Sequence, residues 1–365
     1  MRCTAVKRAL VFVIMTVCLC LGGCASWMDG QYHSVTPHEE QNLRPEQETV
    51  LVSSYIELRQ AMQEMVETGV ASGIISFTGM ETKMVGYYMN LAINYVCNDS
   101  PIGAYAVDKI DYEIGTNSGR TAAAVEISYN HNRSEILRIK QTKTMDEAVD
   151  VIKAALDSCD AGVTVRTAQY ETLDFVQMIR DYADENPDKV MEVPQVTVSV
   201  YPDGGADRVV DLVFTYQSSR DTLRAMQKIV DPIFRSAKLY VTEDAQVWEK
   251  YSQLYTFLME RHQYTVETSL TPSYSLLRHG VGDSRAFAAV YAAMCRQIGL
   301  DCTMVSGTKG GEPRCWNVIF FEGVYYHIDL LQCNVSGGFR ISQESDMAGY
   351  VWDYSAFSTG QSDDS

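Results

Sequence analysis

From Gly282 to Asp329 the chain spells out a helix start, a helix end and a hairpin whose register follows from spacing, and no other stretch restricts its fold as tightly. Asp283-Ser284 stands before Phe287, Val290, Tyr291, Met294, Cys295 and Ile298, which recur at helical spacing until Gly299 closes the run in the position of a C-cap. Ser284 is therefore expected at a helix N-terminus, where serine is a good cap. A cysteine there would have its thiolate stabilised by the helix dipole and the free amides. Farther on, Glu322-Gly323 reads as a two-residue hairpin loop, which pairs Phe321 with Val324 and sets Asp329 opposite Trp316. Alternation then puts Arg314 on the Trp316 face, diagonal to Asp329. One residue more or less in the loop would turn every side chain of the strand to the other face.

In order, spacing and context these residues resemble the transglutaminase-like superfamily. The resemblance covers about Val241 to Gln332, roughly a quarter of the chain, and takes in Glu249-Lys250 through Tyr264, Ser273-Tyr274-Ser275-Leu276-Leu277 and Gly282-Asp283-Ser284-Arg285-Ala286-Phe287-Ala288. It continues through Gly299-Leu300, Val305-Ser306-Gly307, Arg314-Cys315-Trp316-Asn317 and Tyr325-Tyr326-His327-Ile328-Asp329. It implies a papain-type α+β domain over residues 241–357, presenting Cys, His and Asp from a helix start and two neighbouring strands. In this chain serine stands at the cysteine position, Ser284, and arginine at the histidine position, Arg314. Only Asp329 matches.

Neither replacement is chemically neutral. A serine hydroxyl needs a general base to become a nucleophile, and a guanidinium stays protonated and cannot accept that proton. Losing the nucleophile or the base of a comparable triad costs on the order of a millionfold in rate. The expectation is a pseudoenzyme without peptidase, transglutaminase or peptide N-glycanase activity. Two rescues are conceivable: Cys315 as a substitute nucleophile, although it should point to the opposite sheet face, and His327 as a base for Ser284, which would need a rearranged site. Arg314 has two readings. It forms an ion pair that keeps Asp329 from being buried alone, or it joins Ser284 at the helix N-terminus in binding a carboxylate. Ser284, Arg314, Trp316 and Asp329 are the ligand-binding candidates, with Trp316 and Asn317 most simply fold-keeping.

Upstream lies a degenerate repeat. Tyr112-Glu113-Ile114 through Arg133 lines up with Ser199-Val200-Tyr201 through Arg220, so that Tyr129 and Arg133 fall on Tyr216 and Arg220. Ser72 to Thr78 likewise matches Ala161 to Thr167. Each copy reads helix, strand, helix, strand, strand. In the first, helices lie near Tyr55 to Val66 and Lys83 to Val96, and strands near Tyr105 to Ile114 and Ala122 to Tyr129 flank a turn-rich Gly115 to Gly119. In the second, helices lie near Ala148 to Leu156 and Leu173 to Ala183, and Pro202-Asp203-Gly204-Gly205 makes the hairpin turn. The fold class is thus α+β: two duplicated small α/β sandwich modules, over 51–140 and over 141–240 with a bridging segment at Asp231-Pro232, followed by the domain at 241–357.

Arg2, Lys7 and Arg8 precede the apolar run Ala9 to Leu21, which is too short to span a bilayer but suits a secretory segment. Leu21-Gly22-Gly23-Cys24 resembles the lipobox of bacterial lipoproteins. The expectation is a signal peptide at 1–23, lipidation at Cys24, a polar tether over 24–50 and a flexible tail at 358–365. Cleavage before Cys24 would remove three basic residues and no acid, taking the net charge of −17 to about −20. That charge excludes nucleic acid as a partner, because like charges repel. Cys97, Cys159, Cys295, Cys302, Cys315 and Cys333 would remain, and their spacing selects no disulfide pairing. No CxxC or Cys/His cluster suggests a metal, and no cofactor is expected. The expected whole is a lipid-anchored protein on the outward side of a bacterial membrane. Its degenerate domain would bind a peptide, a peptidoglycan fragment or an envelope protein, or serve as a scaffold; the competing reading is an amide-bond-acting enzyme with a rewired nucleophile.

Overall fold

The computed structural model describes residues 49–354. The expected signal segment 1–23, Cys24, the tether up to Glu48 and the tail 358–365 lie outside the described residues.

The first unit begins one element earlier than its pattern indicates. Thr49–Val52 (β1), which takes in the last two residues of the expected tether, pairs in parallel with Ser72–Phe77 (β2). Between them Tyr55–Glu67 (α1) starts where the Ser54 hydroxyl accepts the Glu57 amide at 3.2 Å, and it buries Leu58, Ala61, Met62, Met65 and Val66. Thr82–Asn98 (α2) and Pro101–Ala106 (α3) follow, then the antiparallel pair Val107–Asn117 (β3) and Arg120–Tyr129 (β4). The strand expected from Tyr105 is therefore helical as far as Ala106. Pro101 presets the first turn of α3, and Gly103 lets it lie against α2, since a Cβ there would stand 1.9 Å from the Val96 carbonyl oxygen. The loop expected over Gly115 to Gly119 tightens to Ser118-Gly119, with φ of 53° and 75°, the left-handed pair that a two-residue hairpin turn demands.

A short helix, Arg133–Ile136 (α4), leads to the second unit. Lys140–Thr142 (β5) pairs in parallel with Gly162–Thr167 (β6) across Met145–Asp157 (α5). Phe175–Glu185 (α6) then precedes the antiparallel Gln195–Tyr201 (β7) and Arg208–Thr215 (β8). Strand order is β1-β2-β4-β3 in one sheet and β5-β6-β8-β7 in the other. Arg133 and Arg220 do matching work: Arg133 Nε donates to the Thr68 carbonyl at 2.9 Å and Arg220 Nε to the Ser158 carbonyl at 3.1 Å, each holding the C-cap residue of a helix.

Arg220–Tyr240 (α7) is one helix through Pro232, where a bridging segment was expected. Its buried Leu223, Val230, Phe234 and Ala237 share a core with Tyr251, Leu254 and Leu258 of Val247–Met259 (α8). The boundary at 241 therefore divides a helix from the core it fills. In the third unit Gln263–Tyr264 (β9) and Val281–Gly282 (β10) pair in parallel around Pro272–Tyr274 (α9) and a π-turn at Ser275–His279. Ser284–Gln297 (α10) crosses the core and stops at Gly299, φ 78°, in a Schellman motif whose Leu300 and Gly299 amides donate to the Cys295 and Arg296 carbonyls, both at 3.0 Å. It packs on a sheet of Thr303–Lys309 (β11), Glu312–Phe321 (β12), Val324–Ile328 (β13) and Tyr350–Val351 (β14), in the order β13-β12-β11-β14, with Leu330–Val335 (α11) after β13.

Candidate functional site

The hairpin register is the one that spacing implied. Phe321 pairs with Val324 and Asn317 with Ile328 across Glu322-Gly323, whose φ values of 50° and 79° are both left-handed. The two faces of β12 then separate. Cys315, Asn317 and Ile319 face α10, and the Asn317 amide donates to the Ala288 carbonyl at 2.8 Å. Trp316 and Val318 pack on the other side with Val305, Met347, Tyr350 and Trp352.

At the helix start the cap is Asp283, one residue earlier than the expected serine. Its carboxylate accepts the Ala286 amide at 2.8 Å and the Thr268 hydroxyl at 2.7 Å. Ser284 is left in the first turn with its Oγ free of capping, and that oxygen accepts the backbone N–H of Cys315 at 3.2 Å. The N–H is available because β13 ends at Ile328, opposite Asn317, so β12 has no ladder neighbour on that side at Cys315.

Asp329 stands where β13 turns into α11 and caps that helix, its Oδ1 accepting the Leu331 and Gln332 amides, each at 3.1 Å. Arg314 clasps the same carboxylate with both arms of its fork, Nε to Oδ2 at 3.0 Å and Nη2 to Oδ1 at 2.7 Å. The Tyr350 hydroxyl donates to Oδ2 at 2.7 Å. Burial first, and this carboxylate second, push the Tyr350 phenol well above its ordinary value, so it remains a donor. With five hydrogen bonds Asp329 is only 7% exposed, a buried anion fully paired.

The fold brings Ser284 to the strand residue next to Arg314, and Arg314 to Asp329. Other expectations part from it. Trp316 is unavailable to a ligand: it is 1% exposed, packs edge-on against Tyr350 and Trp352, and spends its indole N–H on His327 Nδ1 at 3.0 Å. That bond makes Nδ1 an acceptor, and burial holds the imidazole down at about 4, so His327 is neutral and lies in the cluster away from α10. It is not brought to Ser284. Cys315 Sγ lies on the helix side, 3.5 Å from the Ser306 hydroxyl, and burial pushes its thiol up, against thiolate formation. All six cysteines of the described residues are free thiols.

Three partners had no legible signal. Tyr350 and Lys309 come to Asp329 through the two-residue β11–β14 pairing, which sets them opposite each other. Arg285, beside Ser284, reaches back to the second unit, donating from Nε to Asp184 Oδ1 at 2.8 Å and from Nη2 to Oδ2. Among the described residues no group of three or more His, Cys, Asp or Glu is placed to hold a metal ion.

Residues 235–330 match the model of the transglutaminase-like superfamily. The match starts inside α7, the helix whose end fills this core. Among solved structures, a TGase is similar over 52% of this chain and 59% of its own length, at 8% identity and a TM-score of 0.26. A candidate cysteine protease from Cytophaga hutchinsonii is similar over 43% of this chain and 70% of its own, at 13% identity and a TM-score of 0.26. No curated protein matches. The third unit thus carries, over residues 235–330, a transglutaminase-like domain in which a serine, an arginine and an aspartate occupy Ser284, Arg314 and Asp329.

Proposed function

We propose that this domain is catalytically inactive and that the protein works as a binding or scaffolding component of a bacterial cell envelope. One observation carries the reading: the side chain at the base position is a guanidinium whose fork is closed on Asp329. It cannot accept a proton from Ser284, and Asp329, with its bonds all formed, cannot polarise another base. The Ser284 hydroxyl is engaged with a backbone amide and has no imidazole partner among the described residues. Such a site lacks both halves of a nucleophile–base pair. The arrangement also supports the ion-pair reading of Arg314 over carboxylate binding at that residue, since both arms of the fork are occupied.

Purified protein assayed for peptide amide hydrolysis and amine incorporation should show no rate above background, and Ser284→Ala should match it. A Ser284-dependent rate would overturn the proposal and install the rewired enzyme in its place. In this reading the protein is held on the outward face of the membrane by lipid on Cys24, with the polar stretch after it as a spacer. Replacing Cys24 with alanine should move the protein from the membrane fraction to the soluble one; retention in the membrane fraction would argue for another anchor.

A further inference from the structure

We infer that the cavity beside Asp329, which Arg314 does not line, receives the C-terminal carboxylate of a short peptide, which deepens the binding reading above and rests on it. The cavity has a volume of about 360 Å³ and is lined by Lys309, Gln332, Ser336, Arg340, Ser342 and Tyr350, with the carboxylates of Asp329 and Asp346 also on its wall. That volume lies in the range of small-ligand sites, with room for roughly a dozen waters at about 30 Å³ each. It is far larger than one inorganic anion needs.

The charge of the wall is what selects the ligand. Lys309 lies opposite Tyr350 in the β11–β14 ladder, so its ammonium stands 4.8 Å over the phenol ring and 4.0 Å from Asp329 Oδ2. Asp329, however, is already closed by the Arg314 fork at 2.7 Å. Two cations therefore face one carboxylate. Burial holds the Lys309 ammonium below its ordinary value, a cost that an incoming anion would offset. Arg340 uses Nη2 on the Ser336 carbonyl at 3.0 Å and forms no ion pair among the described residues. The remaining acid, Asp346, accepts the Gln343 amide at 3.3 Å and offsets only one of the two positive charges. With Arg314 counted against Asp329, one positive charge is left over at the wall, in a chain of net charge −17. A carboxylate laid between Lys309 and Arg340 would take charge-assisted bonds from both, while the Ser336 and Ser342 hydroxyls and the Asp346 carboxylate line the space a peptide backbone would enter.

Calorimetric titration of the full chain with N-acetyl-alanyl-alanine should show saturable one-to-one binding. Affinity should fall at least tenfold for the C-terminal amide of the same dipeptide, and at least tenfold for Arg340→Ala, an exposed position whose loss a melting curve can show to leave the fold intact. Arg340→Lys should recover part of the loss. No binding to the parent, equal affinity for acid and amide, or parent-like binding by Arg340→Ala overturns the inference, as does binding of inorganic phosphate without binding of the dipeptide. Hydrolysis that depends on Ser284 would instead sink the preceding reading and leave this titration standing.

Discussion

Arg314 and Asp329 are each the other's reason for being buried. Their side chains are 15% and 5% exposed, so removing Asp329 leaves a guanidinium shielded from water with no counterion, and removing Arg314 leaves the carboxylate only Lys309, 4.0 Å away. Asp329→Ala should destabilise the protein by about 3 to 5 kcal/mol in denaturant unfolding, the usual cost of breaking a buried pair from one side. A loss under about 1 kcal/mol would mean that the site is far wetter than its geometry indicates. His327 gives this neighbourhood its pH dependence. Burial lowers its pKa from 6.5 to about 4 in the folded protein, so the folded state binds fewer protons than the unfolded chain between those values. Its contribution is complete above pH 6.5 and is lost as pH falls toward 4, amounting to roughly 3 kcal/mol. His327→Gln, which keeps an acceptor for Trp316, should flatten the fall in stability over that window; an unchanged slope would show that another group titrates there.

Helix α7 shows how an element can defy its own sequence. A proline in a helix interior costs about 3 kcal/mol, and Pro232 reads as a breaker. Against it stand four buried side chains, Leu223, Val230, Phe234 and Ala237, the larger three each contributing about 1.5 to 3 kcal/mol. Packing wins, and the proline sits on the exposed face. Pro232→Ala should therefore raise stability by about 1 to 3 kcal/mol in a thermal or urea melt, whereas a loss would show that the proline shapes the helix to its core. The parts that were legible are those whose signals are local. The Glu322-Gly323 turn dictated the β12–β13 register, and apolar spacing with Gly299 delimited α10. What stayed hidden depends on tertiary contact. Thr49–Val52 and Tyr350–Val351 are short edge strands defined by their neighbours, and no period in either marks a partner. At the site, the diagonal placement of Arg314 and Asp329 could be computed from pleat and turn. The Tyr350 hydroxyl that completes Asp329 could not, because it arrives on a two-residue strand too short to show a repeating pattern. Asp283 displaced Ser284 as the cap because a carboxylate one position earlier already reached the third amide of the helix.

Across the whole molecule the three units share side chains. Val209 of the second unit lies in the core of the first, and Cys159 and Met191 of the second lie in the core of the third. Arg166 spans the first junction, pairing with Asp207 at 2.8 Å and Glu67 at 2.9 Å. Arg285 and Arg296, near the two ends of α10, grip Asp184 and the Glu185 carbonyl at the end of α6. Units joined in this way should unfold together: calorimetry is expected to give one cooperative transition whose van't Hoff and calorimetric enthalpies agree. Separate transitions would mean that the shared residues do not couple the cores. At the Asp184 clasp, burial raises the carboxyl pKa despite Arg285. The folded state therefore holds that proton more tightly than the unfolded chain, and stability drains from the joint as pH rises through the carboxylate range. In mechanical terms, tension entering at Thr49 would run through the arginine clasps in parallel with the covalent chain. The protein would carry load as one body rather than as three beads on a string, because the clasps at Arg166 and Arg285 bridge its units.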